Sequence, residues 1–202
     1  MASTKKDETR VRLFTAARRL LVERGFHGVG LEDIAAAAGV SRQAVYKSHF
    51  TSKADLLLAL VQHVHVAHLE EIIRPVREAT SAVAMFEETI RAIVMIEVQV
   101  HDLGMVLSAA AATDAGAAAA FRDRMEVKRG AIRDALKRLA SEGRLNAEWE
   151  LERAVDMLAL LASLESYQQL VVEKGWTTEA LIRKIVDLAY GSIVTLPKRR
   201  KK

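Results

Sequence analysis

The chain of 202 residues is half apolar and 28% charged, and it has no cysteine. That composition belongs to a folded globular protein and excludes disulfides, thiolate metal sites and cysteine nucleophiles. The net charge of +4 is spread unevenly: residues 1–55 carry ten Lys/Arg against six Asp/Glu, residues 198–202 are five consecutive cations, and the stretch between holds fifteen basic and twenty acidic residues, as in a phosphate-facing module joined to a body that avoids phosphate.

Two prolines and few aromatics, beside abundant Ala and Leu, favour helix throughout. Residues 1–8 are polar and lack the apolar region of a secretory signal. No uncharged apolar run approaches the roughly 20 residues that span a bilayer. A cytoplasmic protein with no membrane partner is therefore expected.

Leu13, Phe14, Ala17, Leu20 and Leu21 recur at helical spacing, with Arg10, Arg12, Arg18 and Arg19 around and between them. Gly25 should end that helix, with Phe26 folding back onto it. A second helix reads from Leu31 to Ala38, its acidic pair Glu32 and Asp33 in the first turn, where the helix dipole favours negative charge. Gly30 precedes it as an acceptable N-cap. Gly39-Val40-Ser41 then offers a turn glycine, an apolar plug and an N-cap for a third helix, Arg42 to Ser48.

At 100° per residue, Arg42, Tyr46, Gln43 and Lys47 fall at about 0°, 40°, 100° and 140°, and Val45 at about 300°. One face is then a guanidinium, an amide, a phenol and an ammonium; Val45 faces the other way, toward Ile34 and Val40. Such groups read base edges and hold phosphates. Read from spacing alone, the same face also suits an ordinary helical bundle with a solvated surface. A fourth helix starts at Ser52, with Asp55 completing a capping box and Lys53 placed where an ammonium and backbone amides could hold a phosphate.

The stretch Leu13-Phe14-x-Ala16-Ala17-x-x-Leu20-Leu21-x-x-x-Gly25-Phe26, followed by Asp33-Ile34-Ala35, Gly39-Val40-Ser41, Val45-Tyr46, His49-Phe50 and Ser52-Lys53-Ala54-Asp55-Leu56-Leu57, resembles the TetR-type transcriptional regulators. The resemblance covers about a quarter of the chain. It implies an all-α homodimer: an N-terminal three-helix helix-turn-helix domain binds an operator, and a larger helical bundle binds a small effector and dimerises. It assigns base and backbone contacts to Arg42, Gln43, Ala44, Tyr46 and Lys47 and a phosphate contact to Lys53. Ser41 opens this candidate surface, and either Ser48 or His49 closes it. Three residues rather than the family's usual two separate Tyr46 from Phe50.

The expected organisation is a DNA-binding domain over 1–51, a ligand-binding and dimerisation domain over 52–197, and a basic tail over 198–202 that could add salt-sensitive DNA affinity. In the body, apolar residues from Ala84 to Ile96 suggest a helix, with a break at Asp102-Leu103-Gly104. A longer helix follows, from an Asp114 cap to Gly143. Another helix is expected over 147–174 and a last one from Thr177 or Thr178. Both closing helices are apolar over much of their circumference, which suits a four-helix interface in a symmetric dimer or the enclosed core of a monomer.

Met85, Phe86, Met95, Gln99, Met105, Phe121, Met125, Trp149, Met157 and Tyr167 are candidates for the walls of an apolar or aromatic effector's pocket; each also reads as plain core. His63, His65 and His68 invite a metal reading, but only His65 and His68 share a helical face, so solvated histidines fit better. Neither cofactor nor metal is expected. The absence of a nucleophile motif or a phosphate-binding glycine loop argues against an enzyme. The expected function is a repressor released from an inverted-repeat operator by its effector; the other reading is a helical DNA-binding or protein-interaction module without effector control.

Overall fold

The computed structural model describes residues 5–47, 50 and 52–195, and for residues 5, 6, 46, 47 and 64–68 the backbone alone. Nine α-helices follow one another among the described residues: α1 (Lys5–Arg24), α2 (Leu31–Ala37), α3 (Arg42–Lys47), α4 (Lys53–Glu78), α5 (Ala82–Ala111), α6 (Ala115–Ser141), α7 (Leu151–Leu161), α8 (Leu164–Tyr167) and α9 (Thr178–Ser192). A π-helical turn, Gln168–Glu173, continues α8. Extended pairing among these residues is limited to one bridge, Leu145 with Val194. The all-α expectation holds.

Local chemistry accounts for the helix ends. Gly25 and Gly39 hold φ at +70° and +63°, where a Cβ costs about 1–2 kcal/mol, and they stop α1 and α2. Ser52 and Asp55 form a reciprocal capping box: each backbone N–H donates to the other's side chain at 3.0 Å. Asp114 accepts from Ala117 N at 2.8 Å to start α6, and Thr177 accepts from Ala180 N at 3.1 Å to start α9.

Two expectations fail. Helix α5 runs unbroken through Asp102-Leu103-Gly104, because Leu103 is fully buried and Asp102 pairs with Arg18 of α1 at 2.9 Å. Tertiary packing there overrides glycine's helix penalty of roughly 1 kcal/mol. Conversely, the helix expected over 147–174 is interrupted after Leu161. The Ser163 hydroxyl caps α8 by accepting from Ser166 N at 3.1 Å, and Ser166 Oγ donates back to Leu160 O at 3.0 Å. Two serines thus satisfy the backbone groups that the break exposes.

The chain forms two compact units, Met1–Ala67 with Val100–Asp123 and His68–Gln99 with Arg124–Lys202. The first has a core of Leu13, Leu21, Ile34, Val45, Leu56, Leu57, Leu103 and Leu107, all fully buried. The second is built on Phe86, Ile90, Ile132, Leu136, Leu139, Val155 and Leu158. At about 1.5–3 kcal/mol per buried aliphatic or aromatic side chain, each cluster supplies the main driving force for its own unit. By length and composition alone α5 is apolar enough to cross a bilayer; its burial of Phe86 and Ile90 in one core and of Leu103 and Leu107 in the other is that of a core helix.

Candidate nucleic-acid interface

The first unit holds α3 from behind. Val45 is fully buried in the same cluster as Ile34, with Val40 packed against it, as its angular position requires. Fixing Val45 inward turns the opposite arc of α3 to solvent: Arg42 and Gln43 are exposed and Ala44 is half-buried. Ser41 accepts from Ala44 N at 3.2 Å, so its hydroxyl caps α3 and keeps its own hydrogen to donate. At the other short helix, the Gly30 N–H donates to the Asp33 carboxylate at 2.7 Å, the half of a capping box that a glycine can still make.

Arg42 is ion-paired with Glu32 of α2 at 2.5 Å, and the two side chains are 65% and 70% exposed. An exposed pair of this kind contributes about 0.2–1 kcal/mol, less than a bidentate arginine–guanine contact at about 1–3 kcal/mol. Tyr46 and Lys47 belong to α3 by their backbone, with side chains outside the described residues. Ser48, His49 and the 198–202 tail also lie outside them.

Lys53 has a more internal setting than the sequence implies. Its ammonium donates to the carbonyls of Phe26 and of Val29, the latter at 2.7 Å, and stands 4.2 Å from the centre of the Phe26 ring. Burial lowers its pKa from the usual value, partly offset by Asp114 and Asp33. Two of its three N–H groups thus fasten the start of α4 to the loop between α1 and α2.

Around this site the basic residues of α1 divide by task. The Arg10 guanidinium lies over the rings of Phe14 and Phe50, at 5.1 and 5.9 Å, and those rings are 5.8 Å apart. Arg18 is bound to Asp102, and His27 Nε2 meets Thr113 Oγ1 at 2.7 Å. These last two contacts join α1 and its following loop to the end of α5. They involve partners more than 80 residues apart, and no local pattern signals them. Gly116 is equally unreadable from spacing: a Cβ there would stand 3.2 Å from that of Ala54, so α6 approaches α4 closely at this point.

The ten pocket candidates fall in both units. Met105 and Phe121 belong to the first unit and the other eight to the second. Phe86 is fully buried in the second core, where Met95, Trp149 and Tyr167 pack against it; Gln99 and Met125 are half-buried and Met157 is 41% exposed. An open cleft in the second unit, about 300 Å³, is lined by Glu87, Glu88, Arg91, Ile182, Arg183, Val186, Asp187 and Tyr190 and by none of the ten. Burial and the neighbouring Glu87 carboxylate, which accepts the Tyr190 hydroxyl, push the Tyr190 pKa well above its usual range. Of the histidines in H-x-H-x-x-H, His63 stacks 5.0 Å from Phe14; the side chains of His65 and His68 lie outside the described residues. Among the described residues no three His, Asp or Glu side chains are grouped to hold a metal.

Comparison with known proteins shows what this arrangement is similar to. Residues 13–60 match the family model described as bacterial regulatory proteins, tetR family. The HTH-type transcriptional activator FasR of Mycolicibacterium smegmatis is 37% identical over 89 residues, 44% of this chain and 38% of that protein. The matched stretch is thus well under half the length of that relative. Among solved structures, the fatty acid degradation regulator FadR of Bacillus halodurans superposes with a TM-score of 0.75 at 19% identity, covering 95% of this chain and 97% of that one. A transcriptional regulator from Saccharomonospora viridis in complex with choline gives 0.74 at 18% identity over 94% and 99%. The solved structures establish the shared fold, an N-terminal helix-turn-helix followed by a helical body. Over residues 13–60, the chain is similar to the tetR family of bacterial regulatory proteins, and over nearly its whole length it shares the fold of the solved regulators.

Proposed function

We propose that this protein is a non-catalytic, cytoplasmic regulator that binds an inverted-repeat DNA operator as a homodimer and is released from it by a small effector. The observation that carries the reading is the division of α3: Val45 buried, Arg42 and Gln43 turned to solvent, on a helix capped by Ser41. In this reading Arg42 and Gln43 read base edges. Ser41, Ala44, Tyr46, Lys47 and Lys53 contact base or backbone, and Ser48 or His49 ends the contact. The DNA-binding domain spans 1–51, the body 52–197, and the tail 198–202 adds sequence-independent affinity.

Dimerisation finds support in the second unit, which leaves Met157, Leu160, Val172, Trp176 and Leu188 between 38% and 64% exposed. Large apolar side chains in such number suit burial against a second copy. A dimer also multiplies the discrimination of one short helix across two half-sites about a helical turn or more apart. Effector control is supported by the structural neighbour that holds choline, with the ten candidates supplying walls for an apolar or aromatic molecule. The activator named among the relatives makes the sign of regulation part of the test.

A second reading, a DNA-binding module without effector control, is favoured by the cleft that contains none of the ten candidates. The test is selection of bound sequences from a random DNA pool by the purified chain at a stated salt concentration. Recovery of an inverted repeat supports the proposal. Sequence-blind, salt-labile binding alone sinks it.

A further inference from the structure

One cluster in the second unit is left unexplained by packing. Glu97 of α5 is 2% exposed and is flanked by two cations of α6: Arg124 Nη2 lies 2.6 Å from Glu97 Oε2 and Lys128 Nζ 3.3 Å from Oε1. The Arg124 side chain is 14% exposed and that of Lys128 is 7%. Two cations against one carboxylate leave a surplus positive charge almost sealed from water. Such a charge is strongly unfavourable in a low-dielectric interior unless something neutralises it.

Hydrogen bonding shows the same deficit. Arg124 Nε is buried with no hydrogen-bond partner. The Lys128 ammonium reaches Glu97 at 3.3 Å, long for a charge-assisted bond, which prefers about 2.7–2.9 Å. The cluster therefore lacks one negative charge and some acceptor atoms, and a single carboxylate supplies both. Ile93 and Val94 lie one helical turn before Glu97 on α5, and Ile132 one turn after Lys128 on α6; all three are buried. Aliphatic side chains on the neighbouring turns suit an organic acid better than an inorganic anion.

We propose that Arg124 and Lys128 form the anchoring position for an organic monocarboxylate, whose headgroup completes the Glu97 cluster while its apolar body lies among aliphatic side chains. This rests on the effector reading above and narrows it: the effector class is a monoanionic acid. Glu97 keeps the two cations from repelling one another and sets the surplus at one charge, so a monoanion fits better than a dianion.

The test uses the full chain and calorimetric titration with octanoate and with octanamide at fixed chloride, together with Lys128→Met and Glu97→Gln. Octanoate is expected to bind one per chain, at least tenfold tighter than octanamide, with that advantage lost in Lys128→Met. Without ligand, Lys128→Met removes the surplus charge and should melt at or above the wild-type temperature, whereas Glu97→Gln leaves two unopposed cations and should melt lower. Octanoate binding no tighter than octanamide overturns the proposal, as does equal competition by phosphate. So does a Lys128→Met chain that melts as low as Glu97→Gln or fails to fold, because the cluster is then a structural ion triad. DNA binding is measured in parallel without ligand. Octanoate that binds but leaves DNA affinity unchanged refutes effector control and keeps the site; equal binding of acid and amide refutes the site and leaves DNA recognition standing.

Discussion

Replacing Lys53 by methionine separates two roles that the sequence merges into one. Methionine keeps a flexible stem against the Phe26 ring but removes the donors to the carbonyls of Phe26 and Val29. Both residues are buried, at 6% and 2% exposure. A buried carbonyl left without its donor costs about 1–3 kcal/mol, so the two together set a ceiling near 6. The ammonium is itself partly desolvated, as its lowered pKa records, and relief of that penalty offsets part of the loss. A net destabilisation of about 1–3 kcal/mol is expected, which for a chain of this size lowers the melting temperature by roughly 2–12 °C. Urea unfolding gives the first number, and the slope of DNA affinity against salt gives a second. If the ammonium also meets a phosphate, as proposed, that slope should fall by roughly one unit. A variant that loses the salt slope yet unfolds within about 0.5 kcal/mol of wild type would refute the fastening role.

Other perturbations test separate parts of the account. Gly39→Ala places a Cβ at φ +63° and should cost about 1–2 kcal/mol, lowering both the melting temperature and operator affinity; an unchanged melting temperature would mean that the turn relaxes easily. Hydrogen bonding to Arg91 holds Glu179 below the usual carboxylate range, so its stabilising contribution is present above the unfolded value of 4.5 and is lost as pH falls through the lower folded value. Glu179→Gln should therefore flatten the decline of melting temperature in that acid window, and an unaltered profile would count against the pairing. Leu160 and Leu188 are 64% and 50% exposed; changing both to Glu should convert the dimer to monomer in sedimentation analysis, and a persistent dimer would place the interface elsewhere.

What the sequence reveals here is what short-range chemistry decides. Gly39, Ser41 and Val45 lie within seven residues, and their roles as turn, cap and core plug follow from φ preference, hydroxyl capping and the 100° helical step. The Ser52–Asp55 box and the Asp114 and Thr177 caps are equally local. Misreadings arise where distant residues decide. Gly104 looks like a helix break until Leu103 is buried and Asp102 meets Arg18, 84 residues away. The stretch 147–174 looks like one helix because apolar periodicity carries across Ser163, whose hydroxyl nevertheless supplies the alternative hydrogen bond that ends it. Lys53 sits where an ammonium at a helix start suggests a phosphate contact; only the folded loop brings two carbonyls to it. Residue type alone does not separate pocket wall from core, since Met and aromatic side chains fill cores and line cavities with the same spacing.

The central claim is that Arg42 and Gln43 read bases rather than decorate a solvated helix. Its most direct test compares wild type with the Arg42→Ala, Gln43→Ala double variant on the selected inverted repeat and on a scrambled duplex, both at one salt concentration. The account expects the variant to bind the two duplexes with nearly equal affinity, a loss of about 1–3 kcal/mol of discrimination per contact in each half-site, while scrambled-duplex affinity falls only by the loss of the Arg42 charge. Undiminished preference for the inverted repeat in the variant would contradict it.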